Sequence, residues 1–111
     1  MRAGELREKI TVNRPVRTPD GSGGMDTIYD TILNSFAKVV EERSDPRMIA
    51  NQEDIINYVH FAIRYRPQVF IKIGDRLVWR SFNFTVNNIK VDPLRTRIDI
   101  FVNTEMETSE R

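Results

Sequence analysis

The chain has 111 residues, of which 40% are hydrophobic and 30% are charged, a composition that suits one folded domain with a thin core. It contains no cysteine, which excludes disulfides and thiolate metal sites, and its net charge of +1 gives no overall field toward nucleic acid or anionic membranes. No apolar run is long enough to span a membrane and no apolar segment follows the basic N-terminus, so we expect neither membrane insertion nor a signal peptide.

The first part of the chain predicts a strand followed by a turn. Residues 1–7 form a polar lead with at most one helical turn. Between Lys9 and Arg14, apolar and polar residues alternate as in a half-buried strand. Pro15 should end the pairing of this strand because proline has no N–H to donate. Residues 18–25 predict a loop, since the proline, the aspartate and the three glycines of this segment favour turns.

The segment after this loop allows two interpretations. Its middle part, Asn34–Glu41, predicts a second strand, and a helix over residues 28–42 is the alternative. Residues 43–54 are polar and charged, and they predict a long loop that becomes ordered against a partner. The alternative for this part is a short helix capped by Asp45, with Pro46 at its first position.

The rest of the chain predicts four further strands and a polar tail at residues 104–111. The predicted strands are Ile55–Arg66, Arg76–Arg80, Phe82–Ile89 and Thr96–Asn103. Alternation places one set of apolar side chains on a shared face in three of these strands: Val59, Phe61, Ile63 and Tyr65; Phe82, Phe84 and Val86; and Ile98, Ile100 and Val102, which should point inward. Because a small open sheet cannot hide its edges, we predict a mainly β fold. It is a single domain over residues 1–111, a small antiparallel β-barrel or sandwich of five to six strands with long loops and at most one short helix.

The sequence predicts no catalytic, cofactor or metal site. The only histidine, His60, lies within a predicted strand with no spacing that guarantees an acid, a nucleophile or a second ligand beside it. Glu41 and Glu42 are adjacent on a strand, so their side chains diverge. The glycines of residues 21–24 lack the following Lys-Ser/Thr of a phosphate-binding loop. We therefore expect a protein that is not an enzyme.

An alternating set of arginines and aromatic residues supports a second hypothesis. Arg64, Arg66, Arg80 and Trp79, with aromatic neighbours, are the residue types that small barrels use to bind single-stranded nucleic acid. The competing interpretation is that the aromatic rings are core and the arginines pair with acids, which the net charge of +1 favours. Trp79 is either an anchor for a protein interface or a core residue.

Three blocks of the sequence, taken in order, resemble the head–tail adaptor, or head-closure, proteins of tailed bacteriophages. The blocks are Leu6–Pro15 with the turn Asp20–Gly24, then Phe36–Val39, and then Val59–Arg66 with Gly74–Arg76, Phe84–Ile89 and Arg97–Ile100. The resemblance implies a structural phage or prophage protein that joins the portal side of the head to the tail and helps close the DNA exit channel after packaging. The runner-up is the nucleic-acid-binding barrel described above.

The resemblance also implies partners and a location. It implies a homo-oligomeric ring between a portal-side head protein and a tail-side protein, near packaged DNA and away from membranes, in the virion after folding in the host cytoplasm. Opposed charged segments suit such a ring: five acids against two arginines between Glu41 and Asp54, and five bases against one acid between Tyr58 and Arg80. The predicted partner-contact residues are Asp20, Gly21, Gly23, Gly24, Arg43, Asp45, Arg47, Met48, Glu53, Arg64, Arg66 and Trp79.

Overall fold

A computed structural model of the chain describes residues 3–49, 52–68 and 70–104. A 3₁₀ turn at Ala3–Glu5 precedes six strands. The strands are β1 Glu8–Pro19, β2 Met25–Ile49, β3 Gln52–Arg64, β4 Arg76–Trp79, β5 Phe82–Val91 and β6 Arg97–Thr104. Every pairing between them is antiparallel, and the order β1-β2-β3-β6-β5-β4 closes on itself through β1 and β4. The predicted small antiparallel barrel is therefore confirmed.

The first two strands are much longer than the sequence predicts. Pro15 does not end β1, because it lies opposite Tyr29 in a hairpin that continues to the pair Pro19–Met25. Strand β2 runs without a break from Met25 to Ile49 and carries a bulge between Val39 and Glu41. The helix considered over residues 28–42 is therefore wrong.

The prediction of a loop at residues 43–54 is also wrong, and so is its alternative, a short helix beginning at Asp45. The described part of this segment forms the end of β2 and the start of β3, paired from Arg43–Tyr58 to Ile49–Gln52. Residues 50 and 51, where the chain passes from one strand to the other, lie outside the described residues. The polar residues that predicted a loop belong to a hairpin that leaves the barrel, where a strand needs no apolar face.

The core fills the barrel with side chains from all six strands. Phe61, Ile63, Val86 and Ile100 are completely buried, and the indole of Trp79 meets the ring of Phe61 edge-on at 5.1 Å between centroids. The other buried members of this cluster are Ile10, Val12, Leu33, Ala37, Val59, Leu77, Phe84, Ile98 and Val102. The predicted inward positions of β3 and β6 are therefore correct.

One predicted core position is exposed. Phe82 shares the parity of Phe84 and Val86 but is 67% exposed. It lies at the first position of β5, opposite Trp79 at the last position of β4. The turn between these strands is made by Arg80 and Ser81, which have φ of 54° and 69°. Two central residues with positive φ are typical of the tight hairpin turns that match strand twist.

A buried carboxylate fastens the segment between β3 and β4 to the barrel. Asp75 is 2% exposed and accepts hydrogen bonds from Arg14 at 2.9 and 3.1 Å and from the amide of Lys72 at 2.8 Å. Arg14 also donates to the carbonyl of Phe70 at 2.5 Å. The bond to Asp75 raises the pKa of the Arg14 guanidinium above its ordinary value. These bonds hold residues 70–75 against β1.

None of the helical residues in the described part of the chain forms a helix long and apolar enough to cross a membrane. Strand β6 ends at Thr104. The remainder of the predicted tail, residues 105–111, lies outside the described residues.

Candidate functional site

Two hairpin arms extend beyond the barrel, and they project from opposite ends. The β1–β2 arm consists of Arg14–Pro19 paired with Met25–Asp30, beyond the last β1 residue that pairs with β4. The β2–β3 arm consists of Ser44–Ile49 paired with Gln52–Asn57, beyond the last β3 residue that pairs with β6. Successive turns of an antiparallel meander lie at alternate ends, so these arms point in opposite directions.

The turn of the β1–β2 arm contains four of the predicted partner-contact residues. The Asp20 carboxylate accepts hydrogen bonds from the amides of Ser22 at 2.8 Å and Gly24 at 3.0 Å. Gly21 and Gly23 have φ of 87° and 88°, which favours glycine at both positions. A Cβ on Gly24 would lie 2.8 Å from the Asp20 carboxylate. The turn is a defined structure, presented at the end of an exposed arm.

The base of the β2–β3 arm carries Arg43 and Asp45. The Arg43 guanidinium lies over the ring of Tyr58 at 4.5 Å. Three more predicted contact residues, Arg47, Met48 and Glu53, lie further along the arm. The backbone of Arg47 pairs with that of Asp54, and the backbone of Met48 pairs with that of Glu53. All five of these predicted residues therefore lie on one projecting hairpin.

A groove of about 330 Å³ lies where the β2–β3 arm leaves the barrel. The buried side chains of Val59, Trp79 and Phe84 line it together with the exposed ring of Phe82 and the guanidinium of Arg80. Trp79 is 6% exposed, so of its two predicted roles the core role is the one that the structure has. Its indole N–H donates to the carboxylate of Glu8 at 2.9 Å.

The arginines of the nucleic-acid hypothesis do not form one face. Arg64 ends β3 and Arg66 follows it, whereas Arg80 follows the end of β4, which runs antiparallel to β3. Arg80 therefore lies at the other end of the barrel, where it forms an ion pair with Glu8 at 3.3 Å. With Trp79 buried as well, the predicted alternation of bases and aromatic rings is divided between two surfaces.

The environment of His60 is explained by contacts within the sheet. His60 Nε2 lies 2.8 Å from Asp99 Oδ1, and its ring stacks on Phe101 at 4.2 Å between centroids. Arg97 shares the same carboxylate at 2.6 Å. Burial acts to raise the pKa of Asp99, but the hydrogen bonds from Arg97 and His60 outweigh it and lower that pKa.

Within residues 3–49, 52–68 and 70–104, no group of three or more histidine, cysteine or carboxylate side chains is arranged to hold a metal ion.

Sequence reasoning missed two features of the structure. The first is the set of large apolar side chains that the barrel leaves exposed, including Ile28, Tyr29, Phe36, Phe70 and Ile73. Alternation alone cannot find these residues, because an apolar side chain on an arm has the same pattern as one in the core. The second feature is the set of hydrogen bonds that the buried Asp75 carboxylate accepts from Arg14 and Lys72. Its only signal in the sequence is an aspartate in a turn.

A family model that matches nearly the whole chain decides the family of this protein. The model for the phage head completion protein matches residues 1–106. The chain belongs to the phage head completion protein family. It is a structural phage protein of head–tail joining, as the resemblance predicted.

Solved structures share the fold of this phage head completion protein at low sequence identity. A chain in the virion of a native gene transfer agent particle is 16% identical, with a TM-score of 0.69 over 90% of this chain and 96% of that one. Protein SF1141 from Shigella flexneri 2a, solved in solution, is 19% identical, with a TM-score of 0.65 over 97% and 100% of the two chains. No functionally curated protein showed significant sequence similarity.

Proposed function

We propose that this head completion protein is a non-enzymatic adaptor, assembled as a ring of copies beneath the portal, whose two arms contact different partners. The observation that carries the proposal is the placement of two exposed hairpin arms at opposite ends of one closed barrel. A closed barrel has no free sheet edge of its own, so its projecting arms are the elements that reach neighbouring proteins. A protein that joins two structures needs such an element at each end.

The β2–β3 arm is the element that we assign to the portal side and to the ring channel. It is long, and its sequence carries the acids Asp45, Glu53 and Asp54, with Glu41 and Glu42 just before its base. Arg43 and Asp45 lie at its base, and the groove with Phe82 lies beside them. The arm and groove together give a partner both charged and apolar contacts, the combination found in stable interfaces. In a ring, these arms would help to close the DNA exit channel.

The turn of the β1–β2 arm is the second docking element. Its shape is fixed by the Asp20 carboxylate and by glycines in the left-handed region. A preformed turn loses little conformational entropy on binding, which favours a specific contact. We assign it to the partner on the opposite side from the portal. In this proposal the protein folds in the host cytoplasm and then acts at the head–tail interface.

Site-specific crosslinking in assembling particles tests this proposal. Because the chain has no cysteine, Ser22→Cys and Glu42→Cys each introduce one thiol, in the β1–β2 turn and at the base of the β2–β3 arm. Lys9→Cys, on the wall of the barrel, is the matched control. A thiol-reactive crosslinker should join the first two variants to different head or tail proteins. Capture of the same protein by both variants would contradict the two-ended adaptor.

A further inference from the structure

A second groove lies on the side wall of the barrel, away from the β2–β3 arm. It has a volume of about 380 Å³ and is lined by Leu6, Ser35, Phe36, Arg64 and Arg66. Phe36 is 54% exposed although it lies in the middle of a long strand. An apolar surface with two arginines beside it fits a segment that carries an apolar residue and nearby acids.

The two arginines of this side groove have no charged partner among the residues that the structure describes. Arg64 and Arg66 are exposed, and neither guanidinium has a hydrogen bond or an ion pair with any residue in the described part of the chain. Arg14 and Arg97, by contrast, form ion pairs with Asp75 and Asp99. The side groove therefore has two positive charges that can pair with acids of another molecule.

The β1–β2 arm has a face with the complementary pattern. Side chains alternate along a strand, so Asp26, Ile28 and Asp30 lie on one face of β2. All three are exposed, and neither aspartate has an ion pair among the described residues. The face carries an acid, an apolar residue and an acid in order, and the side groove offers an apolar ring from β2 with two bases from the end of β3 beside it.

The arm cannot reach the side groove of its own subunit. Ile28 and Phe36 are eight positions apart on one continuous strand, so their Cα atoms lie about 26 Å apart at the rise of an extended strand. The arm projects away from the barrel wall that carries the groove. An arm that fills this groove must therefore belong to another molecule.

We propose that the acidic face of the β1–β2 arm, Asp26–Asp30, docks in the side groove of a second copy, with Ile28 against Phe36 and the aspartates beside Arg64 and Arg66. This inference rests on the proposed function, because it supplies the contact between copies in the ring. The two surfaces differ, so the contact is heterologous, the type that closes into rings. The Asp20–Gly24 turn extends beyond the docked face and stays available for its own partner.

The dimensions of the subunit suit this contact. The six residues of β1 beyond the barrel pairs extend about 20 Å, which is similar to the 24 Å shortest dimension of the molecule. The arm of one subunit therefore spans the distance to the wall of a subunit beside it. A partner protein with an acidic segment is the other occupant that the chemistry of the groove admits, and the experiment separates the two.

Disulfide trapping in assembled particles is the direct test. The double variant Ile28→Cys with Phe36→Cys, made in a chain with no other cysteine, should form a ladder of linked copies on oxidation. The matched control replaces Phe36→Cys by Asn88→Cys, an exposed position on β5, across the barrel from β2. The control should remain a single copy. A ladder confined to the first variant supports the proposal, and single copies of both variants in complete particles overturn it.

Charge reversal gives an independent result. Arg64→Glu with Arg66→Glu, or Asp26→Arg with Asp30→Arg, should each reduce particle completion at least about tenfold, because like charges then face each other. All four changes together should restore it, with thermal unfolding used to show that each variant is folded. Loss without restoration would mean that the groove binds another protein, which overturns the inference. Normal tailed particles formed without any copy of this protein would instead overturn the proposed function.

Discussion

Shortening the β2–β3 arm should separate the stability of the barrel from its role in assembly. The change removes residues 46–55 and joins Asp45 to Ile56, which are opposite each other in the hairpin, through an Asn-Gly turn. Among the residues whose side chains the structure describes, no member of the core cluster lies in the deleted segment. The segment lies beyond the last residue of β3 that pairs with β6, outside the barrel. We therefore expect the free energy of unfolding to change by less than about 1 kcal/mol, which corresponds to about 4–8 °C in Tm for a domain of this size.

The assay has two parts, because the prediction has two halves. Thermal denaturation followed by circular dichroism measures the stability of the trimmed protein. Electron microscopy of particles assembled with it measures the fraction that carry tails, which should fall sharply. Ile100→Ala is the matched control, because it destabilises the core without touching the arm. A trimmed protein that fails to fold would show that the arm is part of the folding unit. A trimmed protein that completes particles normally would refute the docking role of the arm.

Three further predictions concern the stability of the barrel. Ile100→Ala should lower the free energy of unfolding by about 2–5 kcal/mol in denaturant titrations, since the side chain is fully buried, and a loss below about 1 kcal/mol would contradict the core packing. Asp75→Ala should cost about 1–3 kcal/mol, and the same change should cost much less when Arg14→Ala is already present, as a double-mutant cycle measures. Arg97 lowers the pKa of Asp99 in the folded protein. The ionised carboxylate therefore stabilises the fold at a pH above the pKa that it has in the unfolded chain. This stabilisation is lost as the pH falls through the lower pKa of the folded state. Asp99→Asn should therefore weaken the acid-induced loss of stability in pH titrations of Tm, and an unchanged profile would refute the assignment.

The sequence predicted the fold best where one face of a strand is buried. The alternation in β3 and β6 identified Phe61, Ile63 and Ile100 correctly, because burial of one face enforces a period of two. The same argument failed at residues 43–54, because the polar sequence of this hairpin has no apolar period to mark its strands. It also failed at Phe82, because parity gives the direction of a side chain and not how far the barrel extends over it.

The candidate site was predictable only in part. The Asp20–Gly24 turn was visible in the sequence, because glycine and aspartate favour that geometry for reasons local to the turn. The groove that we assign to contacts between copies was not visible, because it combines residues that are distant in sequence. Arg66 and Leu6, for example, line one groove because β1 and β3 both lie beside β2. The functional assignment followed from the family resemblance and not from any single residue.

The measurement that tests the central claim most directly is electron microscopy of particles assembled with and without this protein. A structural protein of head–tail joining should be needed for tails to attach to filled heads. We predict tailless heads that lose their DNA when the protein is omitted, and tailed particles when the purified protein is added back. Tailed, filled particles in its absence would contradict the account.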